Sequence, residues 1–173
     1  MKQICYQAIG VIHSPFHVPK GTPIQSSAAK DVEGVVEVYP EYQQGLQDVD
    51  GFSHLILLYH FHLAKPGRLL AKPYMDTRPR GIFAIRGPSR PNPIGLSIVR
   101  LIKVEQNQLI VRDVDIIDGT PLLDIKPYVP EFDTRPANRI GWLEEHVRKL
   151  PESRDDGRFA NGVKRKLHRQ GFD

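Results

Sequence analysis

One cysteine in 173 residues, Cys5, rules out an intrachain disulfide and any zinc site built on cysteines. Such sparing use of cysteine fits a reducing cytoplasm. No apolar run approaches the length of a membrane span, and the chain does not open on a charged leader followed by an apolar core. The expectation is a cytoplasmic protein with no membrane attachment. Also lacking are a dinucleotide-type glycine loop, a phosphate loop ending in Gly, Lys and Ser or Thr, a His-Glu-x-x-His metal helix and a Gly-x-Ser-x-Gly elbow. A nucleotide enzyme built on this chain therefore does without a Rossmann half. There is no internal repeat and no low-complexity tract.

What is present reads mainly as strands. Ile4 to Ile12, Gly34 to Tyr39, Leu55 to Phe61, Gly81 to Ile85, Gly95 to Val104 and Leu109 to Ile117 are short apolar or alternating runs bounded by Gly, Pro, Asp and Asn. Asn107 and Gln108 mark a hairpin turn, and Asp118-Gly119-Thr120-Pro121 marks another before Leu122 to Ile125. Strands at this spacing predict a mainly β fold, a sandwich or barrel. Leu143, Val147 and Leu150 fall on one helical face, which places a C-terminal helix over Trp142 to Leu150. Hydrophobic content of 40% supports one core domain, taken as residues 1–150, with 151–173 as a polar, basic appendage of low order.

The run Arg86-Gly87-Pro88-Ser89-Arg90-Pro91-Asn92-Pro93-Ile94-Gly95 crowds three prolines and two arginines around one asparagine. Each proline fixes its own φ and drives the preceding residue out of the helical region, so the run is a stiff extended loop, as either a bare turn or a binding loop requires. Between residues 65 and 90, seven Lys and Arg residues face a single acid, Asp76, although the whole chain carries only +4. A one-sign patch of this kind attracts phosphates and steers nucleic acid. A second basic cluster, Arg158, Lys164, Arg165, Lys166 and Arg169, stands near the C-terminus.

Two constellations carry candidate chemistry. On an extended strand, Leu55, Leu57, Tyr59 and Phe61 share one face and His54, His60 and His62 the other, so His60 and His62 form a candidate metal pair that needs a third ligand such as Asp113, Asp115 or Asp118. The run from Arg112 to Tyr128 contains four aspartates, a lysine and a tyrosine on two strands joined by a tight turn. Asp118 and Thr120 suit capping of that turn, Asp124 and Lys126 suit a surface ion pair, and the set also suits acceptor binding and proton handling. A metal-dependent barrel enzyme and a non-catalytic RNA-binding module are therefore both open readings.

The loop RPNPIGLS at 90–97, with Arg86 before it, and the run DGTPLLDIKPY at 118–128 resemble the signature segments of the TsaA-like, or TrmO, family. Further matches are Ile9 to Pro15, Phe52-Ser53-His54 through Phe61-His62, and Gly141-Trp142-Leu143, so the resemblance runs from about Tyr6 to Leu143. Members are tRNA methyltransferases that methylate N6 of threonylcarbamoyladenosine beside the anticodon. The resemblance implies a small non-Rossmann β-barrel that works as a homodimer, uses S-adenosyl-L-methionine and no metal, and acts on the tRNA anticodon stem-loop. By position it implies cofactor contacts from Pro23, Ile24, Gln25, Phe61, His62, Arg86, Leu96, Ile116, Ile117, Asp118 and Gly119. Beside it, residue type suggests Arg90 and Lys126 for the threonyl carboxylate, Asn92 for the adenine edge, and Asp124 and Tyr128 as catalytic groups, with Asp118 and His62 as further candidate bases. Where this chain has Ala84-Ile85-Arg86-Gly87-Pro88, the family often reads Ala-Thr-Arg-Ser-Pro, so any hydroxyl contact from those two positions is lost. Larger bacterial members also carry a second C-terminal domain.

Overall fold

In the strand β3, His54–His60, Leu55, Leu57 and Tyr59 are buried while the residues between them are half-buried or exposed. The same period of two runs through β1 (Gly10–His13), β2 (Glu33–Val38), β6 (Ile94–Glu105), β7 (Gln108–Arg112) and β8 (Thr120–Pro127). The computed structural model describes residues 2–160, and within them these strands close into an antiparallel barrel in the order β1-β2-β7-β6-β3-β8. Ile12, Val36, Leu55, Leu57, Val99, Leu109, Val111 and Leu122 fill its interior. A barrel this small is packed solid by inward side chains, each worth about 1.5–3 kcal/mol on burial. A bulge shifts the β3–β8 register between Leu58 and Tyr59.

Between β3 and β6 the chain makes a long excursion, bearing the two-residue strands β4 (Leu70–Ala71) and β5 (Arg80–Gly81). It has its own small core of Ile82, Ile85 and Phe159, against which Ala71, Tyr74 and Trp142 pack. Phe159 lies in the segment expected to be a loose appendage, and residues 154–160 are instead sewn into the fold. Arg154 bridges to Pro23, Asp155 exchanges backbone bonds with Gly21 and Thr22 (2.7 and 2.8 Å), and the Phe159 carbonyl accepts from Lys65 N at 2.9 Å and Ser89 Oγ at 3.0 Å. Of the C-terminal basic cluster, Arg158 is tied to Asp156 and to the Pro73 carbonyl. Lys164, Arg165, Lys166 and Arg169 lie outside the described residues.

Several elements differ from expectation. The expected C-terminal helix is instead 3-10 turns at Gly141–Leu143 and Val147–Glu152. A single short helix with no capping side chain gains too little to nucleate, and Pro151 lies inside the second turn. The only α-helical turn among the described residues is α1, Pro130–Asp133. Strand pairing at the N-terminus begins only at Gly10, and Ile4 and Tyr6 are exposed. The β7 strand stops at Arg112 because Asp113 takes a left-handed φ of 69°. Gly81 to Ile85 is mostly a 3-10 turn rather than a strand. No helix among the described residues is long and apolar enough to cross a membrane.

Candidate functional site

Four segments far apart in sequence meet at one rim of the barrel around a cavity of about 550 Å³, within the range of small-molecule and cofactor sites. The loop before the first 3-10 turn brings Pro23, Ile24 and Gln25, and the end of β3 brings Tyr59, Phe61 and His62. The proline-rich loop brings Arg86, Arg90, Asn92 and Leu96, and the chain after β7 brings Asp115, Ile116 and Ile117. Gly95 is required at the start of β6, because a Cβ there would run into the Tyr59 ring. Asp155, Phe159 and Ala160 of the 154–160 strap complete the wall.

The loop is held by its own arginine. Arg90 Nη1 donates to the carbonyls of Ile85 (3.2 Å) and Gly87 (3.4 Å), which spends part of this side chain on structure. Arg86 Nη1 donates to Gln25 Oε1 at 2.9 Å, joining the proline-rich loop to the N-terminal loop across the cavity mouth. Asp118 and Gly119 do not line the cavity; they form the turn behind it, with Gly119 at φ 75°. Burial pushes the Asp118 carboxyl up, but the Ser14 amide and the His13 and His17 imidazoles outweigh it and hold the group below the usual carboxylate range.

His62 Nδ1 lies 3.3 Å from Thr120 Oγ1. Burial, helped by His60, lowers its proton affinity, so a neutral imidazole faces the cavity at pH 7. His60 is exposed, and among the described residues no three His, Cys, Asp or Glu side chains gather to hold a metal. The metal reading of His60 and His62 is left without a third ligand.

Asp124, Lys126 and Tyr128 are not brought to the cavity of their own chain. Lys126 Nζ and Asp124 Oδ2 form a surface ion pair at 2.8 Å, and the Tyr128 hydroxyl lies 3.2 Å from Thr134 Oγ1. Sequence reasoning missed the pocket roles of Tyr59, Asp115, Asp155 and Phe159. Tyr59 was legible as an inward residue of β3 and Asp115 as one of four clustered aspartates, but nothing local marks Asp155 or Phe159, whose placement depends on backbone pairing with segments about 95 to 135 residues away.

Beside the cavity, sharing Tyr74 and Phe159 with it, runs a second hollow of about 1020 Å³ lined by Lys65, Arg68, Lys72, Lys149 and Arg158. Its one acid, Asp76, bonds Arg80 at 2.6 Å; that contact and the Arg78 amide hold its carboxyl at about 2. The hollow is therefore a cationic channel-like depression beside the cavity.

Residues 11–134 match the family model described as the tRNA-methyltransferase O N-terminal domain. A probable S-adenosyl-L-methionine-binding protein of Pyrococcus abyssi is 64% identical over 156 residues, 90% of this chain and 85% of that one. A mouse tRNA (adenine(37)-N6)-methyltransferase is 34% identical over 160 residues, 87% of this chain but 36% of that protein. The crystal structure of TrmO from Pseudomonas aeruginosa superposes with a TM-score of 0.68 at 35% identity, over 82% of this chain and 63% of that one. The chain thus spans under two thirds of that solved structure and about a third of the mouse protein.

Proposed function

The chain belongs to the family of tRNA-methyltransferase O N-terminal domains, and from that membership we propose that it binds S-adenosyl-L-methionine and methylates N6 of threonylcarbamoyladenosine next to the anticodon of tRNA in the cytoplasm. The observation that carries this reading is the cavity itself, built by the segments that the family resemblance singles out. The residues present fit the cofactor: Ile24, Phe61 and Leu96 offer apolar surface to an adenine, Arg86 a cation to a carboxylate, Asp115 an anion to a positive group. The cationic channel, with Lys65, Arg68, Lys72 and Lys149 in its lining, is suited to hold phosphates of an RNA stem-loop beside the cavity. A non-catalytic RNA-binding module would use the channel and leave the cavity without a role.

Held by Ile24, Phe61, Leu96, Arg86 and Asp115, the cofactor would supply an electrophilic methyl group for N6, with S-adenosylhomocysteine as the leaving group. The protein's part is positioning and exclusion of water, for which a stiff proline loop and a strapped wall are suited. The acceptor nitrogen belongs to a urea with a delocalised lone pair, so its proton must pass to a base. Asp124, with Tyr128 beside the acceptor, is the proposed group, reaching in from a second copy of the chain. Exposed Phe83, Ile94 and Leu96 at the cavity rim are apolar surface that such a copy would cover.

Saturating cofactor, near 100 times its dissociation constant, should stabilise the purified protein by about 2.7 kcal/mol, and Arg86→Ala should lower affinity about tenfold. A thermal titration flat to millimolar cofactor, on protein shown to be cofactor-free, contradicts the assignment. For the shared site, Arg86→Ala and Asp124→Ala proteins should each be about tenfold or more slower alone at limiting cofactor and, mixed and reassembled, recover to about a quarter of wild-type activity, since one site of each mixed dimer is intact. No recovery, or a monomer by light scattering, excludes a site built from two copies.

A further inference from the structure

Tyr59 of β3, Ser97 of β6 and Asp115 of the loop after β7 form a one-way chain of hydrogen bonds that ends at the cavity wall. The Ser97 hydroxyl donates to Asp115 Oδ1 at 2.6 Å. Its single hydrogen is then spent, so at 3.0 Å its oxygen accepts from the Tyr59 phenol. Burial, reinforced by the Asp115 charge, keeps that phenol protonated well above its ordinary value. Ser97 is 2% exposed and Tyr59 4%, so two hydroxyls are buried to aim one carboxylate. An apolar pair would pack there at less cost, which points to a ligand as the reason for the arrangement.

Arg86 lines the same cavity, and its charge favours the ionised form of Asp115. Yet Arg86 donates to Gln25 Oε1 rather than to Asp115. The cavity thus presents a cation and an anion that sense each other electrostatically but bond different partners. That is the complement of an amino-acid zwitterion, whose carboxylate seeks charge-assisted donors and whose ammonium seeks an acceptor-only partner. We propose that Arg86 and Asp115 form an α-amino-acid subsite in which Asp115 receives the ammonium of the cofactor's methionyl arm and Arg86 its carboxylate. A sulfonium has no hydrogen to donate, whereas a carboxylate with one lone pair taken by Ser97 still offers several to an ammonium. The inference rests on the cavity being the cofactor site.

The ionisable groups around Asp115 are Tyr59 from β3, His62 just beyond it, Arg86 and Arg90 from the proline-rich loop, and Tyr74 and Asp155 from the excursion and the strap. Burial pushes the Asp115 carboxyl up to about 6, against the opposing pull of Ser97 and Arg86. Only the ionised carboxyl pairs with an ammonium. Affinity is therefore full above pH 6 and falls as pH drops through it, by up to about tenfold per pH unit. Protonation of His62 adds a repulsion in the acid range that an Asp115 substitution leaves in place.

Calorimetric titrations between about pH 5 and pH 7.5 with S-adenosylmethionine, S-adenosylhomocysteine and methylthioadenosine test the subsite. Asp115→Asn should weaken the first two by about tenfold or more and flatten their pH dependence, while methylthioadenosine, which lacks the amino-acid arm, binds as before. Ser97→Ala, which keeps the carboxylate but removes its donor, should move the midpoint of the pH profile upward; a merely structural role would leave it in place. Weakening of S-adenosylmethionine alone assigns Asp115 to the sulfonium and overturns the subsite. Unchanged affinity for all three ligands in Asp115→Asn overturns it too, with the cavity assignment standing. If none of the three binds the wild-type protein, the cavity assignment fails first and takes the subsite with it.

Discussion

Phe159→Ala should cost about 3–5 kcal/mol, the usual range for emptying an aromatic site in a packed cluster, and cofactor binding should go with it. Phe159 is 5% exposed and packs with Ile82 and Ile85 beneath the arginine loop. Its carbonyl accepts from both Lys65 N and Ser89 Oγ, so its side chain and its backbone hold the same wall. The barrel has a separate core, so the loss should be local: the proline-rich loop and the strap loosen while β-sheet signal persists. Truncation after residue 153 should act like the substitution, whereas truncation after residue 160 should keep cofactor binding. Urea unfolding followed by circular dichroism, paired with cofactor titration, reads both effects. Full affinity in the chain ending at 153 would remove the strap from the site.

tRNA carrying plain adenosine beside the anticodon should be methylated about ten- to a hundredfold more slowly than tRNA carrying the threonylcarbamoyl group. One charge-assisted contact to a carboxylate is worth about 1.5–3 kcal/mol, which corresponds to that ratio. Burial does not enlarge it. Lys126 is exposed and paired with Asp124, and Arg90 already gives Nη1 to two carbonyls of its own loop. Losing the ligand carboxylate therefore strands no fully buried charge. Lys126→Ala and Arg90→Ala should narrow the ratio, Arg90→Ala also by loosening the loop. Arg68→Glu with Lys72→Glu should weaken both RNAs alike and reduce the salt sensitivity of binding, as expected of phosphate contacts. Equal initial rates on the two RNAs would exclude recognition of the carboxylate.

Much of the barrel was legible because its strands obey one rule. Leu55, Leu57 and Tyr59 alternate without interruption, and all face inward. Where a strand expectation failed, a backbone event outweighed side-chain pattern: the run from Leu109 to Ile117 keeps apolar residues to its end, but Asp113 turns left-handed and the pairing stops. The apolar spacing of Leu143, Val147 and Leu150 mimics a helix, yet Gly141 has a φ of 59° and Trp142 Nε1 is drawn to the Ala84 carbonyl at 2.8 Å. Those tertiary ties favour 3-10 turns over a continuous helix. The proline-rich loop was legible as a loop because proline restrictions are local. The strap was not, since its polar composition matches that of a solvated tail and its order comes from partners distant in sequence. Asp115 was visible in the acid run, but its environment, burial beside Ser97 and Arg86, exists only once β6 and the proline-rich loop are placed.

The most direct test of the account is mass spectrometry of nucleosides digested from tRNA after incubation with the purified protein and S-adenosylmethionine bearing a deuterated methyl group. One labelled methyl is expected on N6 of threonylcarbamoyladenosine from the anticodon loop, formed in step with S-adenosylhomocysteine and about tenfold more slowly with Arg86→Ala under limiting cofactor. Label on another nucleoside, or none on RNA from a protein that binds the cofactor, would contradict it.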